Sequence, residues 1–183
     1  RLCQDADPAV CGMAVQSTLG LCDTLCGVPR GRVTQLQEMA EKINALGSGP
    51  EKRAPGYSAS LLEGLQRIWP VETEASEFFG GRMMEPTTGP GSVAWFGRRG
   101  AGDWKVFAVE PQRPLLLRTH GDGLFCDEIR FTISEHEGEQ WVVKQTIKGP
   151  DNFNGYRWYF YTPSSDRIRI HAQGWFHVFV YQL

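Results

Sequence analysis

At 183 residues, with 41% hydrophobic and 22% charged side chains, the chain has ordinary globular composition and enough length to bury a core. Its 19 basic and 21 acidic residues leave a formal charge of −2. No Lys/Arg cluster offers the phosphate-neutralising surface that nucleic acid requires, so nucleic-acid binding is excluded as an expectation. No apolar run reaches the roughly 18 residues that span a bilayer, so no transmembrane segment is expected.

The chain opens at Arg1 without the basic-then-apolar pattern of a secretory signal, which reads as either a processed form or a trimmed sequence. Cys3, Cys11, Cys22 and Cys26 crowd into the first stretch, while Cys126 stands alone. Four clustered thiols are disulfide candidates and favour an oxidising compartment, either secreted or an organelle lumen such as that of a plastid. The competing reading is four small apolar side chains in a reduced helical core. Asp7-Pro8 forms a helix start, with Asp as N-cap and Pro preset for the first helical position. Cys11, Val15, Leu19, Cys22 and Cys26 then share one face of a helix that Gly27 and Pro29 end. Residues one helical turn apart hold their Cβ atoms about 5–6 Å from each other, whereas a disulfide needs about 3.8 Å. Cys22 and Cys26 are therefore not expected to bond to each other, and Cys3 is the favoured partner.

A second helix is expected through Val33, Leu36, Ala40 and Ile43, stopping at Gly47. Residues 47–56 read as a loop. Ser60 and Glu63 make a capping box for a short third helix carrying Leu61, Leu65, Ile68 and Trp69, closed by Pro70. Residues 1–70 thus read as a helical, cysteine-bearing segment, and residues 71–91 as loop.

From residue 92 the period changes to two. Ser92–Gly97, Trp104–Glu110, Leu115–His120, Leu124–Ile133, Gln140–Lys148, Tyr156–Thr162, Arg167–Ala172 and Trp175–Leu183 read as strands separated by turn residues. Connections this short favour antiparallel neighbours. The expected class is α+β: about three N-terminal helices followed by a meander of about eight strands over residues 92–183. A closed or strongly curled barrel would remove the meander's free edges. Inward rows are Phe125, Asp127, Ile129, Phe131 and Ile133; Trp141, Val143, Gln145 and Ile147; and Ile168 with Ile170.

Two strands are apolar on both faces. Tyr156, Trp158 and Phe160 oppose Tyr159 and Tyr161; Phe176, Val178 and Val180 oppose Trp175, His177, Phe179 and Tyr181. Such a sheet must be covered on both sides, by the chain's own three helices, by another protein or by a planar ligand. Tyr159, Tyr161, Trp175, His177, Phe179 and Tyr181 are accordingly the candidate ligand- or partner-binding residues. Asp127 joins them as an acid in an apolar row, where desolvation would raise its pKa as a general acid requires; the competing reading is a place at the barrel mouth or a pairing with Arg118.

No P-loop, G-x-S-x-G, H-E-x-x-H or dinucleotide fingerprint is present, and the cysteines lack metal-ligand spacing, so neither metal nor cofactor is expected. Gly102-Asp103-Trp104, opening a strand after a glycine-rich turn, resembles the start of lipocalin-like (calycin) barrels. A cysteine-bearing helical segment ahead of such a barrel is similar in organisation to the plastid violaxanthin de-epoxidases. The resemblance implies a barrel that holds a lipid or pigment, with Trp104 in its core. Three functions follow: a non-enzymatic accessory subunit docking a protein partner or larger complex through its aromatic β-surface, a calycin-like binder of a small hydrophobic ligand, or an enzyme using Asp127, His177 or the cysteines.

Overall fold

The computed structural model describes residues 28–47, 49–74, 77–79, 82–84, 88–90, 95–96, 103–121, 130–148, 155–173 and 176–183. The segment expected as the first helix, all five cysteines, Phe125, Asp127, Ile129 and Trp175 lie outside the described residues. The chain divides into two compact units, Arg1–Glu38 and Met39–Leu183.

Among the described residues there is one α-helix, α1 (Arg30–Ala45). Its Leu36, Met39, Ala40 and Ile43 are buried at helical spacing, as the periodicity requires. The expected third helix does not form. Ser58, not Ser60, caps a single 3₁₀ turn (Ala59–Leu62) by accepting from the Ser60 N–H at 3.3 Å. Gly64 then adopts φ +72°, a left-handed conformation that ends the turn. The residues after it pair as strand β1 (Gln66–Ile68). Ladder hydrogen bonds to a distant strand outweigh the weak helical propensity of so short a segment.

Segment 71–91, expected as loop, contributes most of β2 (Pro70–Thr73) and all of β3 (Glu77–Phe79) and β4 (Arg82–Met84). The remaining strands are β5 (Trp95–Phe96), β6 (Asp103–Ala108), β7 (Leu115–Gly121), β8 (Arg130–Glu137), β9 (Gln140–Lys148), β10 (Gly155–Tyr161), β11 (Arg167–Gln173) and β12 (Phe176–Gln182). They do not form a closed barrel. One sheet, here sheet A, has the order β1-β12-β7-β10, with β5 pairing the start of β12. Sheet B has the order β2-β6-β11-β8-β9, and β3 pairs with β4 alone.

Nor is the path a meander. Of the consecutive strands from β6 onward, the hairpin β8–β9 pairs, whereas β6–β7, β7–β8, β9–β10, β10–β11 and β11–β12 each pass from one sheet to the other. Short connections fit this route because antiparallel strands of two packed sheets are also near neighbours. The core shows the packing. Leu115, Leu117, Val178 and Val180 of sheet A meet Phe107, Phe131, Ile133, Ile147, Ile168, Ile170 and Ala172 of sheet B, none more than 8% exposed. Both sheets thus turn one face into a single filled interior.

The expected inward rows hold for Phe131, Ile133, Ile147, Ile168 and Ile170 but fail along the first part of β9. A bulge shifts the register there, so Gln145 faces Ile133 while Val143 faces Ser134. The extra residue reverses the pleat, and Val143 stands 57% exposed. Trp104 is half-buried rather than in the core. Its neighbour Lys105 takes the inward position opposite Ile170 and is fully buried, donating to Thr73 Oγ1 at 3.4 Å.

The free edge of β10 is masked by the end of α1. Asn44 accepts from the Trp158 N–H at 3.1 Å and donates to its carbonyl at 2.8 Å, standing in for a missing strand. Arg157 completes the joint by donating to the carbonyls of Ile43, Leu46 and Gly47 at 3.3, 2.7 and 2.7 Å. A cation there satisfies orphan carbonyls at the negative end of the helix. Gly155 and Gly49 form a parallel bridge, and a Cβ on Gly155 would lie 2.0 Å from the Gly49 oxygen.

Candidate functional site

Period-two alternation sets the outer face of sheet A. With Leu115, Leu117, Val178 and Val180 turned inward, the register places Arg67 of β1, His177, Phe179 and Tyr181 of β12, Leu116, Arg118 and His120 of β7, and Tyr156, Trp158 and Phe160 of β10 on the opposite face. Tyr159 and Tyr161 alternate with the last group and pack against the interior core. The candidate aromatic residues therefore divide: His177, Phe179 and Tyr181 share the outer face, and Tyr159 and Tyr161 lie behind it.

Across this face runs a ladder of alternating rings and guanidinium groups. Arg67 sits 3.8 Å from the Trp69 ring centroid and 4.8 Å from Phe179. Arg118 sits 5.2 Å from Phe179 and 4.1 Å from Tyr156. Each such contact is worth about 0.5–1 kcal/mol when exposed and about 2 when desolvated. Trp69 joins the ladder because it lies between β1 and β2, where the chain leaves sheet A for sheet B.

The ladder's two cations have different environments. Arg118 is tied to Glu51, which is 4% exposed and belongs to a 3₁₀ turn (Glu51–Arg53) over the sheet. The Arg118 Nε donates to both Glu51 oxygens, at 3.0 and 2.9 Å, and its Nη2 joins them. Tyr57 and the Trp158 indole donate to the same carboxylate at 2.9 and 2.7 Å. Glu51 is thereby saturated as an acceptor. Burial weakens the Arg118 charge, but the Glu51 hydrogen bond and charge outweigh it and hold the proton more tightly than usual. Burial, reinforced by Glu51, pushes the Tyr57 phenol up to about 12. A cleft of about 290 Å³ lies beside this hub, lined by Pro50, Glu51, Lys52, Tyr57 and Tyr156.

Arg67, half-buried against its two rings, makes no ion pair among the described residues. Burial, with Arg118 adding to it and Tyr181 opposing, lowers its pKa below the usual arginine value. Arg67 and Trp69 also line a cleft of about 410 Å³ with Gln66, Ile68, Val71, Val109, Glu110 and Gln182 among its walls.

His177 stands between His120 and Phe179, at ring separations of 6.1 and 5.7 Å, and His120 lies 4.5 Å from Tyr156. Burial, then the charges of His120, Arg118 and Arg67, drive the His177 pKa down to about 3. His177 is a neutral packing group at ordinary pH.

Sheet B carries the second buried carboxylate among the described residues. Glu135, 1% exposed, accepts from Tyr161 at 2.5 Å, from the Ser164 N–H at 2.9 Å and from the Ser164 hydroxyl. Burial raises its pKa, but these hydrogen bonds prevail and hold it below the usual carboxylate range. Its oxygens join Tyr161 to the turn before β11, a structural use. Among the described residues no group of three or more His, Cys, Asp or Glu side chains is placed to hold a metal, and no helix is long and apolar enough to cross a membrane.

Glu51, Arg67, Trp69 and Tyr57 were not legible as site residues. Glu51 meets its partners across 6, 67 and 107 positions of sequence, a relation without a local pattern. The legible signal was the two-faced aromatic character of β10 and β12. No protein-family model and no curated protein sequence matches this chain.

Proposed function

We propose that this chain is a non-enzymatic docking module, an accessory subunit that engages a protein partner through the outer face of sheet A. The observation that carries the reading is the uneven cover of that face. Over β10 the face is closed by the turn bearing Glu51, whose carboxylate ties down Arg118, Tyr57 and Trp158. Over β12 and β1 the aromatic strip of Trp69, Phe179 and Tyr181 is half-buried and extends to the corner cleft. Aromatic and arginine side chains gathered in one patch are the usual energetic centre of a protein interface.

The rival enzymatic reading has less support. The buried carboxylates Glu51 and Glu135 are engaged by protein donors, and His177 is held neutral among rings. The described interior residues of the two sheets are at most 8% exposed, which favours a surface role over a ligand enclosed by the strands.

Native mass spectrometry of the protein from its source tests the proposal. A stoichiometric protein complex is expected, lost in a Phe179→Ala/Tyr181→Ala variant and kept in Arg169→Gln on sheet B. A retained small mass in place of a partner, or a complex indifferent to the Phe179 and Tyr181 changes, would contradict it.

A further inference from the structure

We infer that the corner cleft at Trp69 recognises a carboxylate on an acidic, apolar-flanked segment of the partner, with Arg67 as its anion anchor. This rests on the docking reading above and names the partner's chemistry.

The first observation is a local charge imbalance. Phe179 receives two guanidinium groups, from Arg67 and Arg118, and the neighbouring Glu51 neutralises Arg118. Arg113 pairs with Glu110, Arg167 with Glu72 and Lys144 with Glu137. Arg67 has ring contacts in place of a carboxylate. Ring contacts engage the π face of a guanidinium and leave its in-plane N–H groups as donors. A carboxylate matches that fork with two parallel hydrogen bonds. Because Arg67 is already half-buried, much of the desolvation cost of pairing has been met within the fold.

The second observation is the wall beside it. Ile68, Trp69, Val71 and Val109 line the cleft, and Val71 is 48% exposed. Of the other polar walls, Gln66 is exposed, while Gln182 and Glu110 are committed. Gln182 accepts from the Glu110 N–H at 3.0 Å and donates to the Arg113 carbonyl at 3.1 Å, and Glu110 is paired to Arg113 at 2.5 Å. An acidic side chain next to an apolar one satisfies both parts of the site. A polyanion does not, since the single cation among the described lining residues cannot supply the many phosphate contacts that nucleic-acid binding needs.

The probe is a fluorescein-labelled hexapeptide of alternating aspartate and leucine, compared with its asparagine counterpart by anisotropy. The aspartate peptide is expected to bind about tenfold more tightly or better. Arg67→Gln, checked for an unchanged melting curve, erases the difference, and Arg67→Lys restores it only in part because a lysine lacks the planar fork. Equal binding of the two peptides, or a preference that survives Arg67→Gln, overturns the inference. So does hexanoate competing as tightly as the peptide, which would make the site one for small carboxylates. A partner complex that needs Phe179 but tolerates Arg67→Gln would leave the docking reading standing and remove this one.

Discussion

Replacing Glu51 by alanine should be among the most damaging single changes in the described part of the molecule. The substitution removes the counter-charge of Arg118, whose side chain is 15% exposed, and the acceptor of the Trp158 indole and Tyr57 hydroxyl. Breaking a buried pair from one side costs about 3–5 kcal/mol, because the remaining charge is stranded. Each orphaned neutral donor adds up to about 1–3 kcal/mol if water cannot reach it. The adjoining cleft of about 290 Å³ lets water reach some of these groups, so the sum should stay near 3–5 kcal/mol rather than double. That is a large share of a total stability of about 5–15 kcal/mol. With a urea slope of about 1–3 kcal/mol per molar, the midpoint should fall by about 2 M. A double variant, Glu51→Ala with Arg118→Met, should be less unstable than the two single losses added, by about 1 kcal/mol or more. Tyr57 supplies a second readout. Its pKa of about 12 should move back toward 10 in Glu51→Gln, measured by phenolate absorbance. A midpoint shift below about 0.3 M, with additive singles, would refute the view of Glu51 as the hub of this face.

Other outcomes follow from the same geometry. His177 binds its proton only near pH 3 when folded but near 6.5 when unfolded, so stability should fall as pH drops below 6.5, by up to about 1.4 kcal/mol per unit. Urea midpoints measured across that range should decline less steeply in His177→Phe, and parallel declines would refute the assignment. Asn44→Ala should cost about 1–3 kcal/mol and increase association of the exposed β10 edge, read by denaturation and light scattering. A monomeric variant of native stability would show that the helix end does not guard that edge. Deleting Trp175–Leu183 removes β12, which lies inside sheet A between β7 and the β1/β5 edge, and should give an aggregating or unfolded product. A soluble truncation that melts cooperatively would contradict its central place.

The strands of the C-terminal half were legible because alternation is a local signal. Ile168 and Ile170 declare one face of β11, and Arg167, Arg169 and His171 the other, without reference to any partner. Closure was not legible. The same short turns that suit a meander also suit a chain stepping between two sheets, and only long-range pairing distinguishes them. Residues 65–70 were misread because Leu65, Ile68 and Trp69 satisfy helical spacing over a stretch too short for that spacing to mean much. The pairing of Gln66–Ile68 with Val180–Gln182, across more than half the chain, decided the matter. A bulge is equally silent in sequence, so Val143 carried the mark of an inward residue and faces solvent. At the candidate site, alternation revealed that β12 has two apolar faces. The cations threaded between its rings come from β1 and β7, and their placement needed the sheet order.

Side-chain hydroxyl-radical footprinting, comparing the free protein with its isolated complex, tests the docking surface most directly. Labelling reports solvent access ring by ring. Trp69, Phe179 and Tyr181 should lose labelling in the complex, while Trp141 and Val143 on sheet B should label as in the free protein. Protection that falls on Trp141 and Val143 and spares Trp69, Phe179 and Tyr181 would place the partner on the other sheet and contradict the account.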